Sequence, residues 1–345
     1  MTEIRLTRVT DWVSVGAHWR ALEPQSDCSF FQSWTWTGCL AEQRFSDPIL
    51  LEAFRGGHRV VLGLFNRRRD WLGHDRLLLG ESGLARQDSV FIEWNGLLAA
   101  RDTPDSVLAD CLRAACCVLL SGRLRPTSRR VILNGVGPAA LEAAQRTRLP
   151  LLVHRSVDAP FVDLEGMRGD RRDYLSALSA NARYQVRRSN RAYGELVQRR
   201  AGSPEEALAY LEELATLHQA TWRRRCQPGA FAEPFFTRFH RELIRRGHQR
   251  GEIALLRLAS SSGVVGLLYN FEWRGSVSAY QSGFDYPGAG RHQKPGLTCH
   301  HEAIKDAAAR GLVRYDFLAG ADRYKRSLST SAAVLHWAEL GEPGM

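Results

Sequence analysis

Along this chain, stretches with apolar residues every three or four positions alternate with stretches where they fall every second position or run together. Helices and strands are therefore both expected. Residues 30–45 carry the helical period and are rich in Trp. Residues 49–55 and 58–66 read as a strand pair, with Gly56-Gly57 as the turn between them. Thr103-Pro104-Asp105 reads as an N-cap followed by Pro at the first helical position, and it opens a helix to about Leu120. Short strands follow at 130–133 and 151–155.

A second half starts near Ala159-Pro160. Residues 171–193 form a basic helical stretch in which Arg183, Arg187 and Arg191 recur every four positions, on one face. Ser203-Pro204-Glu205-Glu206 reads as a capping box, opening a helix with Leu208, Leu211, Ala215, His218 and Trp222 on one side. Three strands follow at 252–259, 264–273 and 276–284, joined by the turns Ser261-Ser262-Gly263 and Arg274-Gly275. After a loop over 285–294, Pro295-Gly296 starts a helix that Gly311 ends. A strand over 314–318 and a short helix from Asp322 complete the pattern. Each half is thus an α+β mixture, divided at 1–158 and 159–345.

The length of 345 residues is that of about two domains. A hydrophobic fraction of 44% and a charged fraction of 24% exclude disorder, collagen and coiled coil for the bulk of the chain. No apolar run approaches the ~18 residues needed to cross a bilayer; Ala114-Ala115-Cys116-Cys117-Val118-Leu119-Leu120 is far too short. The start Met1-Thr2-Glu3-Ile4-Arg5 has no apolar segment of the secretory kind, so the cytoplasm is the expected compartment and no integral membrane segment is expected.

Charge changes the picture more than composition does. Lys plus Arg number 47 against 37 Asp plus Glu, a formal net charge of +10, and only Lys294, Lys305 and Lys325 are lysines. The Arg residues are spread along the chain, as a GC-rich codon bias would leave them, rather than blocked into a DNA-binding arm; they also suit an anionic ligand. The seven Cys include no C-x-x-C pair, and H-E-x-x-H and calcium-loop patterns are missing from the sequence, so no metal is expected. Gly135-Val136-Gly137-Pro138-Ala139-Ala140 matches G-x-G-x-x-A without the doubly wound series that a dinucleotide site needs. No G-x-S-x-G elbow is present.

The most informative stretch runs from Ser276 to Leu328. A strand ends at Gly283-Phe284, and a loop carries Arg291-His292-Gln293-Lys294 into a helix start at Pro295-Gly296-Leu297. Free N–H groups and the partial positive charge of a helix N-terminus suit a pyrophosphate, and Arg291 and Lys294 would add charge-assisted contacts; an exposed basic loop would read the same way.

Tyr280-Gln281-Ser282-Gly283-Phe284, Lys294-Pro295-Gly296-Leu297, Tyr315-Asp316-Phe317-Leu318-Ala319-Gly320 and Arg323-Tyr324-Lys325 carry a family resemblance. So do Asn181-Ala182-Arg183-Tyr184-Gln185-Val186-Arg187-Arg188-Ser189 and Leu217-His218-Gln219-Ala220-Thr221-Trp222. Together they resemble the GNAT superfamily of acyl-CoA N-acyltransferases, and within it the CelD-like acetyltransferase branch related to Fem-type aminoacyl transferases. The resemblance covers about 170–330. It implies an α+β fold of tandem GNAT-like domains, each a mixed, mostly antiparallel sheet flanked by helices. Residues 1–158 would be a degenerate GNAT-like domain and 159–345 the acyltransferase domain.

The implied reaction moves an acyl group, acetyl in the first instance, from acetyl-CoA or another acyl-CoA to an amine on a small molecule, a sugar or a cell-envelope glycan precursor. By the resemblance, Ser282, Gly283 and Phe284 lie beside the acyl group, and Arg291, Lys294, Gly296 and Leu297 hold the diphosphate. The family's loop has the form Q/R-x-x-G-x-G/A. Here Lys294 stands where its first Gly would be, and Pro295 removes an N–H donor. Tyr324 matches the family's general acid. His300 and Glu272 are the candidate bases, each of which also reads as a packing or hairpin residue. Gln281, Asp316, Lys325 and Arg187 are candidate substrate contacts. Two alternatives stand beside this: an aminoacyl-tRNA-dependent transferase of the Fem type, and a non-catalytic scaffold of the same fold in polysaccharide biosynthesis.

Overall fold

The computed structural model describes residues 2–69, 75–117, 129–320 and 322–341. The chain divides into two compact units, Met1–Val157 with Val334–Met345, and Asp158–Ala333. The first boundary falls beside the one read from sequence; the C-terminal segment goes with the first unit, whereas the sequence reading left it in the second half.

In unit 1, β1 (Thr2–Arg8) leads to α1 (Trp12–Leu22) and α2 (Trp34–Arg44), then to the strands β2 (Pro48–Arg55), β3 (His58–Arg69) and β4 (Asp75–Leu79). The short β5 (Leu98–Ala99), α3 (Asp105–Cys117), β6 (Arg129–Val136), α4 (Pro138–Arg146) and the start of β7 (Leu151–Asp163) follow. The helix read over 30–45 is broken. Phe30–Gln32 is a 3₁₀ turn, and Ser33 turns extended to cap α2 by accepting the Trp36 N–H. Gly56 and Gly57 take φ values of 55° and 81°, the left-handed pair that a two-residue hairpin turn needs. Residues 118–120 of the helix read from Thr103 lie outside the described residues.

Unit 2 takes up β7 and runs through α5 (Leu164–Gly169), α6 (Tyr174–Ala177), α7 (Ala180–Tyr193), β8 (Leu196–Arg200), α8 (Pro204–Arg224) and α9 (Pro234–Gly247). The strands β9 (Ile253–Ser260), β10 (Gly263–Trp273) and β11 (Ser276–Phe284) come next, then α10 (Pro295–Ala309), β12 (Arg314–Asp316) and α11 (Arg323–Leu328). The last strand, β13 (Ser331–Leu340), carries the chain back to unit 1. The capping box of α8 forms as read: Ser203 accepts the Glu206 N–H, and Glu206 accepts the Gly202 N–H at 2.7 Å. The basic stretch read over 171–193 is two helices, because Arg171 turns to φ 52° and α7 starts only at the Ser179 cap.

The two units repeat one plan. Strand order is β1-β2-β3-β4-β6-β13 in unit 1 and β8-β9-β10-β11-β12-β7 in unit 2. In each, four antiparallel strands precede a helical crossover, through α3 or α10, to a parallel fifth strand. In each the sixth strand is antiparallel: β13, which follows α11, in unit 1, and β7, which follows α4, in unit 2. Each sheet buries its own apolar face. Leu51, Phe65, Leu77, Cys111, Leu133 and Leu340 are core in unit 1, and Val186, Leu268, Val277, Ile304, Tyr315 and Leu328 in unit 2.

Glu272 belongs to this framework. It faces Val277 beside the β10–β11 turn, seven residues along β11 from Phe284, or roughly 23 Å at about 3.3 Å per residue. Arg200 donates to it at 2.5 Å, and Arg310 donates twice, at 2.7 and 2.9 Å. Burial pushes its carboxyl up, but the Arg310 and Arg200 hydrogen bonds outweigh burial and hold it below the usual carboxylate range. A base needs a free lone pair near its proton; this carboxylate clamps β8 and α10 to β10 instead.

Two stability results are expected. Leu340 is fully buried in unit 1 and pairs with Val131. Leu340→Ala should therefore destabilise unit 1 by about 2–5 kcal/mol in urea unfolding, and removal of the segment after Ala333 should leave unit 1 open to proteolysis. The Glu272 carboxyl is depressed in the fold, so its stabilisation is present above the unfolded carboxylate pKa and is lost as pH falls through the folded value. Glu272→Gln should melt below wild type at neutral pH, and the gap should close in acid.

Candidate active site

The site starts from a parting of strands. β11 and β12 pair in parallel over only three residues, Ser276 with Arg314, Val277 with Tyr315 and Ser278 with Asp316. Beyond that point β12 ends and Leu318 turns to φ 62°, so the strand read over 314–318 stops two residues early. The Asp316 carboxylate fixes this turn by accepting the Leu318 N–H at 2.7 Å. On the other side, β11 continues to Phe284 against β10 and carries one extra residue, Tyr280, between partners of Tyr269 and Asn270. Such a bulge twists the strand and re-aims the side chains beyond it. Gly283 lets α8 press on β11 here, since a Cβ would lie 2.4 Å from the Leu214 carbonyl oxygen.

A cavity of about 580 Å³ opens at this end of unit 2. Phe284 and Tyr286 come from the end of β11 and the loop after it, and Lys294, Gly296 and Leu297 from the start of α10. Arg323, Tyr324 and Ser327 come from α11, and Asn181, Ala182 and Gln185 from α7. Its charged walls are Lys294 and Arg323, with no carboxylate among the lining residues.

The N-terminus of α10 is held from the side. No side chain caps it in the usual way. Instead the Lys294 N–H donates to Ser189 Oγ at 2.8 Å, Ser189 Oγ lies 2.8 Å from Thr298 Oγ1, and Thr298 donates to Asn190 Oδ1 at 2.9 Å. Asn190 and His301 both donate to Glu302, and the His301 bond holds the Glu302 carboxyl below its usual range. This relay locks α7 to α10. It leaves the N–H groups of Gly296 and Leu297 as the first backbone donors of α10, because Pro295 has none and the Thr298 N–H bonds to the Lys294 carbonyl. Gln293 pins the loop before the helix, accepting the Gly290 N–H and donating to the Ala192 carbonyl.

Of the residues singled out in the sequence, Phe284, Lys294, Gly296, Leu297 and Tyr324 come together around this cavity. Gln281, Ser282 and Gly283 lie just upstream on β11, and the Ser282 carbonyl accepts from His218 Nδ1 at 3.0 Å. His218 thus packs with its hydrogen bonds made. Arg291 is exposed in the loop and outside the lining. Asp316 is buried against Arg314 at 2.8 Å; burial raises its pKa even so. Lys325 turns its ammonium to the Leu318 and Ala319 carbonyls, at 3.3 and 2.8 Å. Arg187 lies on another face of α7.

His300 sits behind the cavity wall, 2% exposed, with its ring stacked on Tyr324 at 5.4 Å and Nδ1 2.9 Å from the Tyr315 hydroxyl. Burial, with Lys325 adding to it, pulls its pKa down to about 3, so it is neutral at any ordinary pH. Nε2 has no hydrogen-bond partner among the described residues. Tyr324 is shifted the other way: burial first, then Asp322 and Tyr286, raise its pKa, so the hydroxyl keeps its proton. Sequence reading missed Arg323, Tyr286, Gln185 and the Ser189–Thr298 relay. The segment from Asn181 to Ser189 carries part of the family resemblance, but without the fold nothing ties it to the start of α10. Among the described residues no group of His, Cys, Asp or Glu could hold a metal, and no helix is long and apolar enough to cross a membrane.

Residues 180–326, which lie within unit 2, match the family model described as an acetyltransferase (GNAT) domain. A comparison with curated proteins finds no match. Among solved structures the chain is similar to FemX, with a TM-score of 0.61 at 9% identity, covering 97% of this chain and 96% of that one. A Bacteroides thetaiotaomicron protein of unknown function gives 0.58 at 9% identity over 99% and 100%. L-PGS from Bacillus licheniformis gives 0.55 at 10% identity over 93% and 90%. With a GNAT-domain match over residues 180–326 of unit 2 and the same strand plan in unit 1, the chain has a tandem GNAT-like α+β fold similar to that of FemX.

Proposed function

We propose that this protein is an N-acyltransferase of the CelD-like kind. It would move an acyl group from acetyl-CoA or another acyl-CoA to an amine acceptor such as a small molecule or glycan precursor, with unit 2 the catalytic domain and unit 1 its degenerate partner. The cavity at the parted ends of β11 and β12 is the observation that carries this reading, since it joins a cationic rim, an uncapped helix start and a protonated Tyr in one place. The reaction is set in the cytoplasm.

The residues fit a diphosphate. A Cβ on Gly296 would touch Phe284 at 3.3 Å and Tyr286 at 3.5 Å, so glycine keeps the approach to the helix start open. The Gly296 and Leu297 N–H groups and the Lys294 ammonium would bind it, with Arg323 across the cavity. Lys294 supplies the charge where the family loop has a backbone N–H on glycine. The donor brings an activated thioester carbonyl; backbone donors near Ser282–Phe284 would face the charge that develops on its oxygen. Tyr324, held protonated, would give its proton to the departing sulfur. His300 beneath it is neutral and can keep the Tyr ring in place. Glu272 and Lys325, engaged elsewhere, take no part in these steps.

The loop's Lys294-Pro295 also favours a second reading, a Fem-type transferase whose acyl donor is an aminoacyl-tRNA, because it has fewer backbone donors than a coenzyme A loop. Thermal-shift measurements separate the two: stabilisation by acetyl-CoA upholds the first and stabilisation by aminoacyl-tRNA the second, whereas a scaffold would respond to neither.

Two variants test the assignment. Tyr324→Phe should lower turnover by about 100-fold or more while donor affinity changes little, and an unchanged turnover would remove the acid role. Lys294→Ala should weaken acyl-CoA binding by about tenfold in calorimetry, with equal affinity showing that the diphosphate lies elsewhere.

A further inference from the structure

α7 has a second working face. Its buried side, Ala182, Val186, Ser189 and Tyr193, packs into unit 2, and Asn181, Ala182 and Gln185 reach the donor cavity. Arg183, Arg187 and Arg191 line a separate groove of about 540 Å³, with Leu175 of α6 as its apolar edge and Tyr184 and Asn190 beside them. Successive guanidinium-bearing residues are four positions apart, so they rise by about 6 Å each and span about 12 Å along the helix.

Unit 2 holds arginines that are paired with carboxylates and arginines that are not. Elsewhere in unit 2, Arg200, Arg241, Arg257, Arg310 and Arg314 each hold a carboxylate. Among the described residues no carboxylate pairs with Arg183, Arg187, Arg188 or Arg191, and no carboxylate lines the groove. Among the described residues, Arg191 Nε donates to the Arg187 carbonyl, and Arg188, on the neighbouring face, donates to the His292 ring. Tyr184 is 52% exposed, with the Arg188 guanidinium 5.9 Å from its ring. Unneutralised like charges along one groove repel one another, and a ligand that neutralises several at once relieves this. Planar guanidinium forks match phosphate oxygens.

We infer that the outer groove of α7 binds an anion carrying several phosphate groups spread over about 12 Å. A lone diphosphate is too short to reach all three arginines; a polyphosphorylated small molecule or a short single-stranded phosphodiester chain, whose bases could stack on Tyr184, spans them. This adds a second anion site to unit 2. It rests on the groove rather than on acyl transfer, and stands or falls separately from it.

The test uses the full chain and two probes, inorganic tripolyphosphate in calorimetry and a nine-nucleotide single-stranded oligouridylate in fluorescence anisotropy. Wild type should bind at least one. Arg183→Gln/Arg187→Gln/Arg191→Gln, with an unchanged circular dichroism spectrum, should bind it at least tenfold more weakly. For the oligonucleotide, log affinity should fall against log salt with a slope near 2, from three contacts at about 0.7 each. Tighter tripolyphosphate binding would identify a small phosphorylated ligand, and tighter oligonucleotide binding a phosphodiester chain. Absence of binding to both probes, or equal affinity in the triple variant, would overturn the inference. So would loss of tripolyphosphate binding in Lys294→Ala, which would assign the anion to the donor cavity.

Discussion

The parting of β11 from β12 is the constraint on which the rest of unit 2 depends. A parallel pair would ordinarily continue its ladder; here it stops after three residues because β12 has nowhere to go. The backbone at Leu318 is left-handed, which is costly for a side chain with a Cβ, and Asp316 fixes it with a buried carboxylate. The Lys325 ammonium then gathers the Leu318 and Ala319 carbonyls that the turn exposes. On the facing strand, the Tyr280 bulge and the contact of Gly283 with α8 bend the end of β11. Asp316 and Lys325 are therefore spent on opening the cavity, and Tyr324, adjacent to Lys325, is placed by the same turn.

Electrostatics inside that opening point one way. The rim carries Lys294 and Arg323 and no acid. The titratable groups behind it are kept uncharged by burial: His300 down to about 3, Tyr324 and Tyr286 shifted upward. A cavity so lined favours an anion at its mouth and keeps a neutral proton donor within. The relay from Ser189 through Thr298 to Asn190 matters for the same reason, because it keeps the α10 start fixed without spending a side-chain cap on the N–H groups that face the cavity.

Much of this was legible in local patterns. The α8 capping box, the β9–β10–β11 hairpins, the Gly56-Gly57 turn and the Pro295 helix start all rest on residues close in sequence, and each forms. What failed was long-range. Glu272 reads as a free strand carboxylate until Arg200 and Arg310, 72 and 38 positions away, are brought to it. Asp316 and Lys325 read as substrate contacts until the Leu318 turn takes them. The doubling of the strand plan shows no short-period repeat, since register and order can recur while side chains diverge. The return of β13 to unit 1 has no local signal at all, because an antiparallel partner needs only apolar alternation.

The comparison of the two units shows why one of them suits an anion. Unit 1 keeps a cavity of about 450 Å³ in the corresponding place, between the end of β4, the start of the crossover helix α3 and the helix after β6. Its crossover helix starts with Asp105, whose carboxylate already neutralises the positive helix end. Gln32 and Asn95, the polar groups deeper in that cavity, are committed to the carbonyls of Leu97, Leu79 and Asn134. In unit 2 the equivalent helix starts with Pro295 after Lys294, and no acid or cap stands in the way. One fold thus presents two cavities of similar size that differ in charge at the first turn of one helix, Asp105 in unit 1 and Lys294-Pro295 in unit 2.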